Sequence, residues 1–300
     1  MKTQPLVSII CVAYNHQNYV IETIKSALNQ TYSPIEIIII DDKSSDDTAK
    51  IIKNFIKDYP TIKFIENCEN LGNTKTFNKA VKYAHGEYLI DLACDDILLP
   101  NCVKYQIEAF SKYNNSEIGI VFGNSELINQ DGDYIRDYFP TDENRNIIDK
   151  SLFTIDLKYL LKGGLCMNSV SSMMHRGIFN DLNGYDERLA FEDFDYWIRV
   201  LENYNIVYID KILTQKRELE KSMSKHFFKK NKFANSLDKS MVLIIQETIN
   251  RHKTETNILR AILKRVHYGI SNSIKSNKFS LLKSYISLKL RIHYFLIFSK

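Results

Sequence analysis

Asp95 and Asp96 close an apolar run at residues 88–92, and a second apolar step at 97–99 with Pro100 follows them. Adjacent carboxylates repel each other and cost stability unless a cation sits near them. Hard oxygen ligands of this kind suit Mg2+ or Mn2+ carrying phosphates better than Zn2+. A solvated loop with a capping aspartate is the bland alternative. A similar pair, Asp41-Asp42, ends the β-branched run at 35–40, and Tyr14-Asn15 stands at the exit of the apolar run 7–13. Further on, Glu192, Asp193 and Asp195 open a helical pattern whose apolar side is Trp197, Ile198 and Leu201. An acidic first turn favoured by the helix dipole explains that placement without any chemistry.

Alternating elements must position these groups. Val20, Ile24, Ala27 and Leu28 recur at helical spacing until Pro34 breaks the pattern. The run at 35–40 reads as a strand buried on both faces. Ser44, Ser45 and Asp46 can cap a helix carrying Ile51, Ile52, Phe55 and Ile56. A strand at 62–65, a helix on Phe77, Ala80, Val81 and Ala84, and the strand at 88–92 follow. Such alternation predicts a parallel sheet covered by helices, with ligands beyond the carboxyl ends of its strands. The three polar exits then share one rim. No glycine-rich turn follows the first strand and no Walker lysine loop occurs, so the acidic rim needs a cation to receive phosphates. From 101 to 182 the signals thin to a helix on Val103, Ile107 and Phe110, a strand at 118–122, a hairpin about Asp131-Gly132, and a polar-then-helical segment at 141–164. His175 reads as a loop or strand-end histidine.

Three hundred residues, 44% hydrophobic, can bury a large core. Five cysteines without CxxC spacing read as reduced thiols of a cytoplasmic chain. The first apolar run is too short for a secretory leader, and no stretch of about 20 apolar residues predicts a membrane span. Net charge is +4, but residues 221–300 hold 17 Lys+Arg against 3 Asp+Glu, so the remainder is acidic. The expected division is therefore 1–220 and a basic helical region at 221–300.

The motifs VSIICVAYN at 7–15, ALNQTY at 27–32, EIIIIDDKSSDDT at 36–48, NLGNTKTFNKAVKYAHGEYL at 70–89, ACDDILLP at 93–100 and NGYDERLAFEDFDYWIRV at 183–200 occur in this order and spacing. Together they resemble the inverting family 2 glycosyltransferases of the GT-A fold, over roughly residues 6–220, of the kind that build bacterial surface polysaccharides. The resemblance implies a Rossmann-like α/β nucleotide-binding half with a mostly parallel central sheet. It implies that Ala13, Tyr14, Asn15 and Asp41 hold the nucleotide. A carboxylate only accepts hydrogen bonds, so Asp41 suits uracil, thymine or guanine, and a UDP-sugar is the favoured donor. For Asp42 a helix-terminus role is expected instead. The family's metal motif reads Asp-x-Asp-Asp, whereas this chain has Ala93-Cys94-Asp95-Asp96. Asp95 is then the direct ligand of Mn2+ or Mg2+ with Asp96 behind it, and the first carboxylate, which the family places near the ribose and metal, is replaced by Ala93. Asp91 falls two residues early but shares the face of Ala93. Asp193 is promoted to general base, since an acceptor hydroxyl is a poor nucleophile until a carboxylate takes its proton. Glu192 orients the acceptor, and Lys216 and Arg217 are candidates for the leaving diphosphate.

Two rival classes share this rim: a nucleotidyltransferase, which would need a basic phosphate loop not found here, and a non-catalytic nucleotide-sugar-binding protein, which Ala93 would permit. The basic C-terminal end interleaves Leu, Ile and Phe with Lys and Arg, the composition of a helix lying on an anionic membrane surface at the inner face of the cell membrane. Packing on the acidic domain, or on another subunit of a homo-oligomer, is the alternative. Nucleic acid is not an expected partner, because no reading motif accompanies the charge. A glycan or lipid-linked acceptor is.

Overall fold

The computed structural model describes residues 4–112, 117–163, 168–220, 226, 229 and 231–298. Its first part follows the predicted alternation: β1 (Val7–Ala13), α1 (Val20–Leu28), β2 (Ile35–Asp41), α2 (Thr48–Phe55), β3 (Lys63–Glu66), α3 (Asn73–Val81) and β4 (Tyr88–Ala93). Then come β5 (Ile97–Leu98), α4 (Cys102–Lys112), β6 (Ile118–Ile128) and β7 (Tyr134–Asp137). These are followed by α5 (Leu157–Lys162), β8 (Met173–His175), α6 (Arg176–Asp181), α7 (Asp193–Asn203) and β9 (Asn205–Arg217). Three long helices, α8 (Lys232–Arg251), α9 (Thr256–Lys275) and α10 (Phe279–Phe298), complete the described chain.

One sheet runs β3-β2-β1-β4-β8-β6-β9-β5, with β7 paired to β6. It is parallel from β3 through β4, where the rim lies, and mixed beyond: β8 is antiparallel to both β4 and β6, while β6 and β9 are parallel. All seven residues of β1 are buried, as an uninterrupted apolar run in a central parallel strand requires. Registers Ala13↔Asp41 and Val12↔Ala93 bring the exits of β1, β2 and β4 level, so the three polar exits do share a rim.

β9 runs for 13 residues. It carries Lys216 and Arg217 within the sheet, paired to Leu127 and Ile128. The basic helices do not stand apart. Leu237, Ile244, Ile262, Val266, Leu288 and Ile292 share one hydrophobic core with Phe194, Trp197 and Ile198 of α7. Gly269 lets α9 approach the ring of Tyr285 so closely that an added Cβ would stand 2.3 Å from it. The expected boundary near 220 falls where residues 221–225 lie outside the described residues.

Candidate functional site

Beyond the parallel rim lies a cavity of about 720 Å3. Tyr14, 45% exposed, Asn15 and His16 enter it from the β1 exit. Their loop is fastened to the next one. The Asn15 amide donates to Ser44 Oγ at 2.9 Å, the Ser45 amide to Asn15 Oδ1 at 2.8 Å, and the His16 amide to Thr48 Oγ1 at 2.9 Å. Ala13 is fully buried and its carbonyl accepts the Asp42 amide at 2.8 Å, so it positions Tyr14 and Asn15 without facing the cavity itself.

The Asp41-Asp42 pair behaves differently from expectation. Both Asp41 oxygens serve Ser44, accepting its amide at 3.0 Å and its hydroxyl at 2.5 Å, and the side chain is buried behind the rim. Asp42, expected to be merely electrostatic, borders the cavity. Its carboxylate accepts Asn67 Nδ2 and the amides of Leu71 and Gly72, each at 2.8 Å. It thereby fixes the loop before α3, whose Asn70–Lys75 stretch forms one wall. Gly72 has φ +82°, a conformation that favours glycine there.

Asp95 faces the cavity, with His16 Nε2 3.9 Å from its Oδ1. Asp96 turns away. Its Oδ1 accepts the Arg217 amide at 2.7 Å, and burial together with the neighbouring Asp95 charge holds its carboxyl well above the ordinary range. Arg217 corrects the expectation of a diphosphate ligand. It is 3% exposed and lies outside the cavity lining. Its guanidinium donates to Asp95 O, Asn129 O and Gln130 O, pairs with Glu22 at 2.7 Å, and lies over the Tyr19 ring. It is a clamp that holds the Asp95-Asp96 turn to α1 and to the β6–β7 turn. Lys216, its neighbour, is close enough for its charge to pull the Asp193 carboxyl down.

The opposite wall comes from the head of α7. Burial raises the Asp193 carboxyl, against the opposing hydrogen bond from the Phe194 amide at 2.7 Å. Glu192 accepts Asn73 Nδ2 at 3.0 Å, and burial with the charges of Asp193 and Asp91 pushes it well up. Asp91, on the cavity side of β4 like Ala93, is raised to about 7 by burial and by Asp193, with Tyr185 Oη donating to it at 3.3 Å. Asp195 points elsewhere, paired with Arg199 at 2.7 Å. The rim therefore brings together Tyr14, Asn15, Asp95, Glu192 and Asp193 of the predicted set. Asp41, Asp96 and Arg217 stand behind it. Sequence reasoning passed over His16, whose signal was a polar ring just past a strand exit, and set Asp91 aside on alignment although strand alternation had put it on the right face.

Residues 8–182 match the family described as Glycosyl transferase family 2. The chain belongs to that family. This family 2 member is 30% identical over 246 residues to an uncharacterized glycosyltransferase of Rickettsia bellii, covering 81% of this chain and 34% of that protein. It is 31% identical over 209 residues to the poly-beta-1,6-N-acetyl-D-glucosamine synthase of Staphylococcus epidermidis, covering 69% of this chain and 48% of that one. The chain thus spans about a third to a half of the length of these relatives. Its fold is similar to S. aureus TarS in complex with UDP-GlcNAc, with TM-score 0.68, 17% identity, and coverage of 98% and 88% of the two chains. A mannosyltransferase of Pyrobaculum calidifontis in complex with GDP-Man and Mn2+ gives TM-score 0.59, 12% identity, and coverage of 98% and 86%. The fold is the GT-A type that the motifs implied, with helices added at its C-terminal end.

Proposed function

We propose that this family 2 chain is an inverting glycosyltransferase that moves a sugar from a UDP-sugar to an acceptor hydroxyl in surface-glycan synthesis. The observation that carries the reading is a single cavity bordered by Asp95 just beyond β4 and by Asp193 at the head of α7. The names of two similar proteins, an N-acetylglucosamine polymer synthase and a UDP-GlcNAc complex, favour an N-acetylhexosamine donor.

Tyr14 packs against the base and Asn15 stands beside it. Asp193, raised by burial, takes the proton of the acceptor hydroxyl. The acceptor oxygen attacks the anomeric carbon from the face opposite the diphosphate, and the bond to the diphosphate breaks with its electron pair leaving on oxygen. One displacement inverts the configuration. Glu192, held by Asn73, orients the acceptor.

Among the described residues no three His, Cys, Asp or Glu side chains gather as a metal cage. A cavity-facing Asp95 still fits Mg2+ or Mn2+, which bind through one or two carboxylates plus substrate phosphates. Such an ion would neutralise charge on the departing diphosphate.

The test is UDP release from UDP-GlcNAc with and without Mn2+ and a glycan acceptor. Acceptor-dependent UDP release is expected. Tight binding without turnover would favour a binding protein, and pyrophosphate chemistry a nucleotidyltransferase.

A further inference from the structure

α10 is apolar on both of its faces, and only one of them is covered. Tyr285, Leu288 and Ile292 are buried against the rest of the protein. On the other side Phe279, Ile286, Leu290, Tyr294 and Ile297 are between 43% and 71% exposed. At about 100° per residue these five fall within about 80° of arc, so they form one continuous stripe about 27 Å long. Scattered exposed apolar residues are ordinary in a folded protein, but a contiguous stripe marks a surface that something covers. A helix apolar all round is otherwise found inside a protein or a membrane. No helix among the described residues is long and apolar enough to cross a membrane.

The charge around the stripe points to its occupant. Between Thr256 and Phe298 there are eight Lys and Arg and no Asp or Glu. Arg265, Lys278 and Arg291 bond inward, to Leu160 and Leu161, to Asp238 and to Asn250, which leaves Arg260, Lys264, Lys275, Lys283 and Lys289. Lys283 sits within the stripe's arc, where its long stem can lie along apolar surface while the ammonium group reaches outward. A second copy docked through this same face would set lysine against lysine with no carboxylate of α9 or α10 to answer them. An anionic lipid surface answers both features at once, taking the apolar stripe among its acyl chains and the lysines at its headgroups.

The stripe is also placed where such a surface would be useful. Lys278, just before α10, pairs with Asp238 of α8, and Arg291 donates to Asn250 of α8 at 2.5 Å, so α8 and α10 run side by side in the same direction. α8 begins at the cavity, which Phe233 lines, and its Ser240 accepts the amide of Ala190 in the cavity wall. The head of the stripe therefore lies toward the end of the molecule that holds the reaction cavity.

We propose that the outer face of α10 docks on an anionic phospholipid surface, lying in its plane, and so brings the cavity to acceptors carried on lipid. Only this use, not the docking itself, rests on the glycosyltransferase reading.

The test is co-sedimentation of the full chain with phosphatidylglycerol-containing and with pure phosphatidylcholine vesicles. Binding to the anionic vesicles in low salt, release as salt rises, and poor binding to neutral vesicles are expected. Leu290→Glu with Ile297→Glu should weaken binding by at least roughly tenfold, and Lys283→Glu should weaken the anionic preference. All three positions are exposed, so unchanged circular-dichroism melts show that the variants fold. Full chain that ignores anionic vesicles at low salt would overturn the proposal. So would equal binding to neutral vesicles, or self-association that Leu290→Glu with Ile297→Glu abolishes while vesicle binding is absent. UDP release toward a soluble acceptor is read in parallel. Its loss with vesicle binding intact would count against the glycosyltransferase reading alone.

Discussion

The two walls of the cavity use carboxylates in opposite ways. On the strand-exit side, Asp41, Asp42 and Asp96 accept hydrogen bonds from backbone amides and hydroxyls, and each holds a loop in place. Asp95, on the same side, lines the cavity beside His16. Toward α7, Asp91 of β4 with Glu192 and Asp193 line the cavity, and burial pushes all three toward protonation. Asp96 is raised as well, by burial and the Asp95 charge, but it lies outside the cavity lining. A raised carboxyl can exchange a proton with substrate only where it also faces the cavity. Residue type alone does not separate the two.

The sharpest way to break that comparison is to remove the basicity and keep the shape. Asp193→Asn should lower turnover about 10²–10⁴-fold with UDP binding nearly unchanged. Turnover within a few-fold of the parent would move the base elsewhere, first to Glu192. In the parent, kcat/KM should rise with pH through a limb above the ordinary carboxylate range, because burial raises Asp193. Lys216→Met should shift that limb further up, since the lysine's charge pulls Asp193 down.

The strand-exit side makes a stability prediction. Arg217→Met strips donors from three carbonyls and from Glu22, leaving them around a buried position. A loss of about 2–4 kcal/mol in urea denaturation is expected, at the lower part of the range for broken buried pairs because Glu22 is itself half-exposed. A variant of full stability that binds UDP poorly would restore Arg217 as a diphosphate ligand.

Asp95 is the exception on its own wall. Asp95→Ala removes the direct ligand and should abolish Mn2+-dependent UDP binding. Ala93→Asp should preserve or tighten it. Equal UDP affinity in Mn2+ and in EDTA, measured by calorimetry, would remove the metal from the site.

Much of the rim was readable because its strands are continuous apolar runs ending abruptly in polar residues, as in Ile35–Asp41. β9 was only partly readable. Asp210, Lys211, Gln215 and Lys216 interrupt its pattern, and its pairing with β6, not its composition, makes it a strand. The two-residue β5 exists only through Gln215 and Thr214 opposite it. Arg217 could not be assigned from sequence, since its partners Asn129, Gln130 and Glu22 are brought to it by the fold. The helices after residue 231 follow their apolar spacing. Which side of α10 is covered was not legible, because both sides are apolar.

The smallest effect tests whether ionising the cavity-lining carboxyls costs the folded protein stability. The folded protein raises Asp91 from an ordinary 3.8 to about 7, so it holds that proton more tightly than the unfolded chain does. A carboxyl raised on folding contributes most to stability below its unfolded value, and the contribution is lost as pH climbs from about 4 toward 7. Three pH units correspond to about 4 kcal/mol as an upper bound. Asp91 titrates together with Asp193 and keeps some contact with solvent, which reduces the expected share to about 1–2 kcal/mol. Asp91→Asn removes the charge but can still accept the Tyr185 hydroxyl. The variant should therefore gain about 1–2 kcal/mol at pH 8, gain little at pH 5, and show a flatter stability profile between them in urea titrations. If it is instead less stable than the parent at pH 8, the ionised Asp91 is a favourable group in the folded protein. The two walls would then differ in position but not in electrostatic character.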